Sequence, residues 1–348
     1  MTPSVLCAPD KFRGSATAFE IAAAMADGAT RAGWTSEEGA LSDGGEGYLE
    51  VVAPAGERRQ EDVPGPLGTI VRAEWRIYRD SSGRRVAVIE AARACGLTLA
   101  GGAPSNRPVA ATTAGVGSLL AAAIETGADK VLLGCGGSAS TDGGAGALAV
   151  LHDRLGPEPL AGIEVVVACD VRATFHEAAE LFSPQKGATP KQVRRLAKRL
   201  GDLADVLSSE SGRDFAALPG SGSAGGLAGG LASAGATLRP GFEVVAEIVG
   251  FDEKLARADA VLTGEGRLDA GSFGGKVVGC VLGAARRLPS PPRLLCVAGE
   301  VGHRGLMPGL QELATIADLS ARFGGERSRR EPALLTAIVV EEWLSSPP

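Results

Sequence analysis

Carboxylates set among glycines are the residues of this chain best suited to chemistry. They occur in four stretches: Ser42-Asp43-Gly44-Gly45-Glu46-Gly47, the run 138–146 around Asp142, Cys169-Asp170-Val171, and Gly264-Glu265-Gly266-Arg267-Leu268-Asp269. Glycines let successive backbone N–H groups converge on an anion, while a neighbouring carboxylate can hold Mg2+ or take a proton from a hydroxyl. Cations stand in or beside such stretches at Lys11, Arg13, Lys186, Arg267 and Lys276. Positioned phosphates, a metal, a base and a cation for the developing charge are what phosphoryl transfer needs. Any single Asp-Gly or Gly-Gly pair is more often an ordinary turn, but four such loops, each after a strand-like run, weigh against turns throughout. Taken alone, Asp170 also suits a helix N-cap and Lys186 a solvated loop.

Loops of this kind need a rigid frame, and the periodicity of the chain supplies one. Apolar runs at 5–8, 260–263, 293–298 and 314–317, with another near 39–41, alternate with helical patterns at 18–32, 275–287 and 332–344. They predict parallel strands buried on both faces. Between them lie an expected hairpin, 73–78 and 86–90, and strands 131–133 and 165–169 that lead into the loops of Asp142 and Asp170. The expected architecture is α/β: a parallel doubly wound sheet built by residues 1–65 plus 255–348, with a mixed α/β domain of residues 66–254 inserted. Two sequential domains divided near residue 150 are the competing arrangement. In open sheets of this type ligands sit beyond the carboxyl ends of the strands, where these loops fall. The stretch 220–235 is rich in glycine and serine but apolar enough to be a packed helix entry rather than a linker.

Composition narrows the partners. With 348 residues, 45% apolar and 22% charged, the chain is globular rather than disordered, and its 50 glycines are roughly double ordinary usage. Thirty-five basic against 41 acidic residues leave a net charge of −6, so neither nucleic acid nor a membrane surface is expected as a partner. The basic run 191–199 has the spacing of an exposed helix face. The six cysteines form no CxxC pair, and Cys7, Cys135, Cys169 and Cys296 close apolar runs, as buried thiols of a reducing compartment do. His152, His176 and His303 are scattered, which disfavours zinc and a His-based triad. The N-terminal residues lack a signal-peptide pattern and no window reaches the roughly 18 apolar residues of a membrane span, so a cytoplasmic location is expected. A Walker A loop fails before Lys276, since Ala270 and Val277 stand where Gly and Ser or Thr are required. The Gly-x-Gly matches at 134–139 and 220–225 lack the acidic partner or the strand of a dinucleotide fingerprint.

In order, the loops resemble the bacterial glycerate kinase family over nearly the whole chain. The matching stretches are APDKFRGS at 8–15, SDGGEG at 42–47, GGSASTDGG at 136–144, ACDV at 168–171, PQKGA at 184–188, GSAGG at 222–226, GEGRLD at 264–269 and Gly275-Lys276. The resemblance implies ATP- and Mg2+-dependent phosphorylation of D-glycerate, typically on the 2-hydroxyl, by a flavodoxin-like domain with a second α/β domain inserted. On that footing Gly136, Gly137, Ser138, Gly143, Gly144, Gly222, Gly225 and Gly226 are expected to bind the triphosphate, and Asp43 with Glu265 or Asp269 to hold Mg2+. Lys186 or Lys276 would neutralise the transferring phosphoryl group, and Asp170 or Asp142 would accept the hydroxyl proton. Asp10, Arg13, Ser15 and Arg267 would bind the acid, with Arg13 or Arg267 gripping its carboxylate. Two departures bear on the acceptor: Ser118 stands where the family has Glu or Gln, and the segment 172–180 after Asp170 is rebuilt and shorter. They keep open a kinase for a related hydroxy acid or sugar acid, or a silent nucleotide-binding paralogue. A monomer or homodimer is expected.

Overall fold

The computed structural model describes residues 2–302 and 314–347, so His303 lies outside the described residues. Its strands are β1 Ser4–Cys7, β2 Thr35–Glu38, β3 Glu57–Pro64, β4 Ile70–Arg79, β5 Arg85–Glu90, β6 Lys130–Cys135, β7 Glu164–Cys169, β8 Thr237–Pro240, β9 Ala260–Leu268, β10 Arg293–Val301 and β11 Thr315–Asp318. The chain divides into two compact units: unit 1, Met1–Asp43 with Phe242–Pro348, and unit 2, Gly44–Gly241.

Unit 1 is a parallel sheet in the order β11-β10-β9-β1-β2. Counted within the unit, that is the 2-1-3-4-5 order of flavodoxin-like folds, with the inserted chain leaving after its second strand and returning before its third. β1, β9 and β10 are near-continuous apolar runs because helices cover both faces of the sheet. The helix Ala18–Arg31 starts at a capping box in which Thr17 and Glu20 satisfy each other's orphan amides. It buries Ile21, Ala22, Met25 and Ala29, and Gly28 lets it approach the helix Pro332–Ser345 so closely that a Cβ would strike the Ala337 carbonyl. The strand expected near 39–41 is instead β2. Its residues Thr-Ser-Glu-Glu are exposed at the sheet edge and carry no apolar signal, whereas Ala40 and Leu41 are buried in the loop that follows.

Unit 2 is a six-stranded mixed sheet, β3-β4-β5-β6-β7-β8, antiparallel from β3 to β5 and parallel from β5 to β8. The expected hairpin is β4 and β5, closed by Asp80, whose carboxylate accepts from the amides of Ser82 and Arg84. β3 had no counterpart in the sequence reading, which left residues 57–65 with the first domain. It is a charged edge strand, ERRQEDVP, and its pairing with β4 from Glu57↔Ile77 to Pro64↔Ile70 carries it into unit 2. The contact division accordingly falls at 43/44 and 241/242 rather than at 65/66 and 254/255. Trp75, Leu119, Leu133, Val167 and Leu227 share one core, and each fully buried aliphatic side chain there contributes roughly 1.5–3 kcal/mol. The glycine-rich stretch after residue 220 enters the helix Leu227–Ser233, which is buried throughout.

Candidate functional site

Each unit gathers part of the expected chemistry at the carboxyl ends of its strands. In unit 1 the chain beyond β1 stays beside β9, with Ala8 N–H donating to the Leu262 carbonyl at 2.7 Å and Asp10 N–H to that of Gly264 at 2.9 Å. This is the switch point of the sheet, where β1 separates β2 from β9 and where such folds bind ligands. Gly266 has no Cβ to hold off Phe12 and Arg13, since one would lie 3.0 Å from the Arg13 nitrogen, so the 8–15 and 264–269 motifs pack together.

Asp10 and Asp43 are both buried, and Lys11 Nζ lies 3.3 Å from Asp10 and 3.9 Å from Asp43. Burial, with Asp43 adding to it against the pull of Lys11, pushes the Asp10 carboxyl up to about 6. Burial alone would drive the Lys11 ammonium down, but Asp10 and Asp43 together outweigh it and its pKa is raised. Glu265 is pushed up to about 7, first by burial and then by the charges of Asp10 and Asp269, against Ser272 and Lys276. Its Oε1 is buried without a hydrogen-bond partner.

The carboxylates expected to hold metal are Asp43 with Glu265 or Asp269, and Asp269 acts on Glu265 through its charge. Asp269 caps the 3-10 turn Ala270–Phe273 through the Gly271 amide at 2.8 Å and lies 3.8 Å from Arg267. Asp10 feels Asp43, and its charge in turn acts on Glu265. Among the described residues no group of three or more His, Cys, Asp or Glu side chains is arranged to hold a metal ion. The donor chemistry nevertheless suits a hard cation, because Asp10 and Glu265 sit in one another's field and Glu265 offers an unpartnered buried oxygen. Arg13, Ser15 and Arg267 are exposed, Ser15 being turned back onto the Phe12 carbonyl at 3.1 Å, and Lys276 is the N-cap residue of the helix Val277–Arg286.

In unit 2 the two glycine loops meet backbone to backbone. Gly225, at φ +70°, lies where any Cβ would strike the Ser140 carbonyl, and the Gly143 amide donates to the Gly225 carbonyl at 3.0 Å. Gly136 is packed on Gly45, while Gly137 accepts from the Leu97 amide. Several amides expected to cradle phosphates are already engaged: Gly144 with Asp142, Gly222 with the Ala173 carbonyl, and Gly226 with that of Gly222. The amides of Ser140, Thr141 and Asp142 make no hydrogen bond within the described residues, although Ser140 and Thr141 are wholly buried.

Asp142 accepts five hydrogen bonds. Its Oδ2 takes the Thr113 amide at 2.8 Å, the hydroxyls of Thr113 and Thr112 at 2.9 and 3.4 Å, and the Gly146 amide at 3.2 Å, while Oδ1 takes the Gly144 amide at 3.2 Å. It thereby ties together the starts of the helices Ala114–Glu125 and Ala145–Leu155. Asp170 stands at the end of β7, half-buried, with a Cβ on Gly136 placed 3.5 Å from its Oδ2. Lys186 is buried, not solvated. Its Nζ donates to Ser138 Oγ at 2.9 Å and to the Ser140 carbonyl at 2.6 Å, and burial pushes it down to about 8 against Cys95, Asp170 and Asp142. Ser118 spends its hydroxyl on the Ala114 carbonyl of its own helix.

The family model described as the glycerate kinase family matches residues 5–158 and 152–324. The chain belongs to the glycerate kinase family. It is 34% identical to a glycerate kinase of Halalkalibacterium halodurans, covering 99% of each chain. To the glycerate 2-kinase of Escherichia coli K12 it is 32% identical, over 92% of this chain and 93% of that one. Its fold matches the crystal structure of a glycerate kinase 2 candidate from Salmonella typhimurium LT2 with a TM-score of 0.77, at 28% identity, over 99% of this chain and 98% of that one. Membership makes the protein an enzyme, a phosphotransferase with an alcohol group as acceptor.

Three residues that support these loops escaped the sequence reading. Glu90, at the end of β5, accepts from the amides of Gly47 and Leu49 at 3.1 and 3.4 Å, anchoring the end of the 42–47 motif, and burial pushes it up to about 7. Asn106 and Arg199 donate to carbonyls of the loop before Asp142. Arg199 was counted with an exposed basic face, yet it stands three residues after Leu196 and one before Leu200, on the buried stripe of the helix Pro190–Ser211. That helical period was a usable signal, whereas Asn106 sits in an irregular segment that has none.

Proposed function

We propose that the protein transfers the γ-phosphoryl group of ATP to D-glycerate, giving 2-phospho-D-glycerate. The observation that carries this reading is the paired glycine loops of unit 2, which leave buried amides of Ser140, Thr141 and Asp142 unpaired in a member of this family. Buried donors without acceptors are rare in folded proteins, and phosphate oxygens suit them. In this reading those amides hold phosphate, Asp170 accepts the proton of the attacking hydroxyl, and Lys186 keeps the loop electropositive through Ser138 and the Ser140 carbonyl. Arg13 or Arg267, both exposed, grips the carboxylate of the acid, and Lys276 adds positive charge. Asp43 and Glu265, with Asp10 between their fields, hold Mg2+, which when bound neutralises charge on the transferring group. The protein works in the cytoplasm on a small acid, as a monomer or homodimer, without nucleic acid or membrane partners. Among the described residues no helix is long and apolar enough to cross a membrane.

A second reading, a kinase for a related hydroxy acid, draws on the rebuilt segment 172–180 and on Ser118. ADP release from Mg-ATP with D-glycerate, beside L-glycerate, tartronate and glycolate, separates the two. Phosphorus NMR of the product identifies the esterified hydroxyl. Release with D-glycerate and a 2-phosphate product is the expected result, and release with another acid alone transfers the proposal to that acceptor.

A further inference from the structure

Three consecutive carbonyl oxygens in unit 2 are each taken by a side chain from elsewhere in the unit. Asn106 Nδ2 donates to Ala139 at 3.1 Å, Lys186 Nζ to Ser140 at 2.6 Å, and Arg199 Nη2 to Thr141. Asn106 also donates to the Lys186 carbonyl at 2.9 Å, so the same amide group fixes the loop and the backbone of its lysine. Arg199 is fixed in turn by the Val109 carbonyl at 3.0 Å. A peptide group is planar, so each N–H points opposite the carbonyl it shares a bond with. Fixing the carbonyls of 139, 140 and 141 therefore fixes where the N–H groups of Ser140, Thr141 and Asp142 point, and these are the amides with no acceptor. Two of the three donors carry positive charge on the carbonyl side, which polarises the peptides and strengthens their N–H groups toward an anion.

We infer that Asn106 and Arg199 are positioning residues that set the Ser140, Thr141 and Asp142 amides as a preorganised receptor for phosphate oxygens. Neither touches the ligand, and each acts through a carbonyl it holds. The inference deepens the proposed function and rests on it only for the identity of the phosphate donor. Any polyphosphate should be held by the same amides.

Inorganic tripolyphosphate is therefore the probe, titrated calorimetrically into wild-type protein, Asn106→Ala, Arg199→Ala and Arg199→Lys, beside steady-state kinetics with varied ATP. Each alanine variant should weaken tripolyphosphate and raise KM for ATP by about tenfold at matched folded fraction, the effect of losing a charge-assisted or doubly used hydrogen bond. Arg199→Lys, which keeps charge and one donor, should recover part of the loss and stay about threefold weaker than wild type. A merely structural role would lower the melting temperature or the fraction of active protein and leave both constants unchanged. If the alanine variants do not fold, Arg199→Lys against wild type still decides, with a threefold or greater change expected for a lost fork of donors. Tripolyphosphate affinity and KM within twofold of wild type in folded variants overturns the inference, as does a wild-type protein that binds no tripolyphosphate. Weakened tripolyphosphate binding in variants of a protein that shows no glycerate-dependent turnover upholds the receptor and removes the glycerate reading instead.

Discussion

Lys11 of unit 1 and Lys186 of unit 2 are both taken largely out of water, yet the first lies between two carboxylates and the second between a hydroxyl and a carbonyl. The first pKa is raised and the second pushed down to about 8. Burial costs the charged form in both, but Asp10 and Asp43 outweigh it at Lys11, whereas at Lys186 the charges of Asp170 and Asp142 do not. The contrast extends to the surroundings. Unit 1 concentrates side-chain charge in Asp10, Asp43 and Glu265, whereas unit 2 concentrates backbone donors and turns its most central carboxylate, Asp142, into a brace. A buried carboxylate oxygen therefore differs in the two places: Glu265 keeps Oε1 without a hydrogen bond, whereas Asp142 is saturated by five.

The largest expected effect tests which acid of unit 2 is chemical. Asp170→Asn should lower kcat by ~10²–10⁴, as loss of a general base does, and a kcat within threefold of wild type would remove Asp170 from that role. Asp142→Ala comes next and should act on stability. Stripping five hydrogen bonds from two helix starts is expected to cost about 3 kcal/mol, read as a lower denaturant midpoint. An Asp142→Ala protein as stable as wild type would break the contrast between the units.

In unit 1 the sign reverses. Glu265 binds its proton more tightly folded than unfolded, so its contribution to stability is fullest below the ordinary carboxylate range and is lost as pH rises through about 7. Glu265→Gln, which mimics the neutral form, should gain roughly 1–2 kcal/mol at pH 8 and flatten the fall in stability between about pH 4.5 and 7. Chemical denaturation of both proteins across that range checks it, and a loss of stability at pH 8 would show that the carboxylate is satisfied. The smallest effect is spectroscopic. NMR titration of labelled lysines should show Lys186 losing its proton near pH 8 while Lys11 stays charged beyond the ordinary lysine range. Coincident titration of the two would erase the distinction.

How far the sequence could be read followed how physical signals are written into it. β1, β9 and β10 are buried on both faces and announce themselves as apolar runs, and the glycine motifs mark the loops beyond them. β2 and β3 are polar edge strands whose existence depends on a neighbour's register, so no local pattern reveals them, and the unit boundary was misplaced with β3. Residue type located the acids of the site but not their roles. Asp142 is visible beside its glycines, but the Thr112 and Thr113 groups that saturate it come from 30 and 29 residues away. Asp10 was placed with the acid-binding residues, and its link to both Asp43 and Glu265 depends on β1 lying next to β9.

The insertion between the second and third strands of unit 1 also orders events on the ribosome. Ser4 and Asp259, which are bonded beside the β1–β9 pair, lie 255 residues apart. At about 5–20 residues per second, β1 waits roughly 13–50 s for its partner strand to be made. All of Gly44–Gly241 is synthesised within that interval, so the mixed sheet can close on the emerging chain while Val5 and Leu6 still lack the neighbour that buries them. For most of that synthesis β1 can pair only with β2, and its other edge stays open until β9 is made.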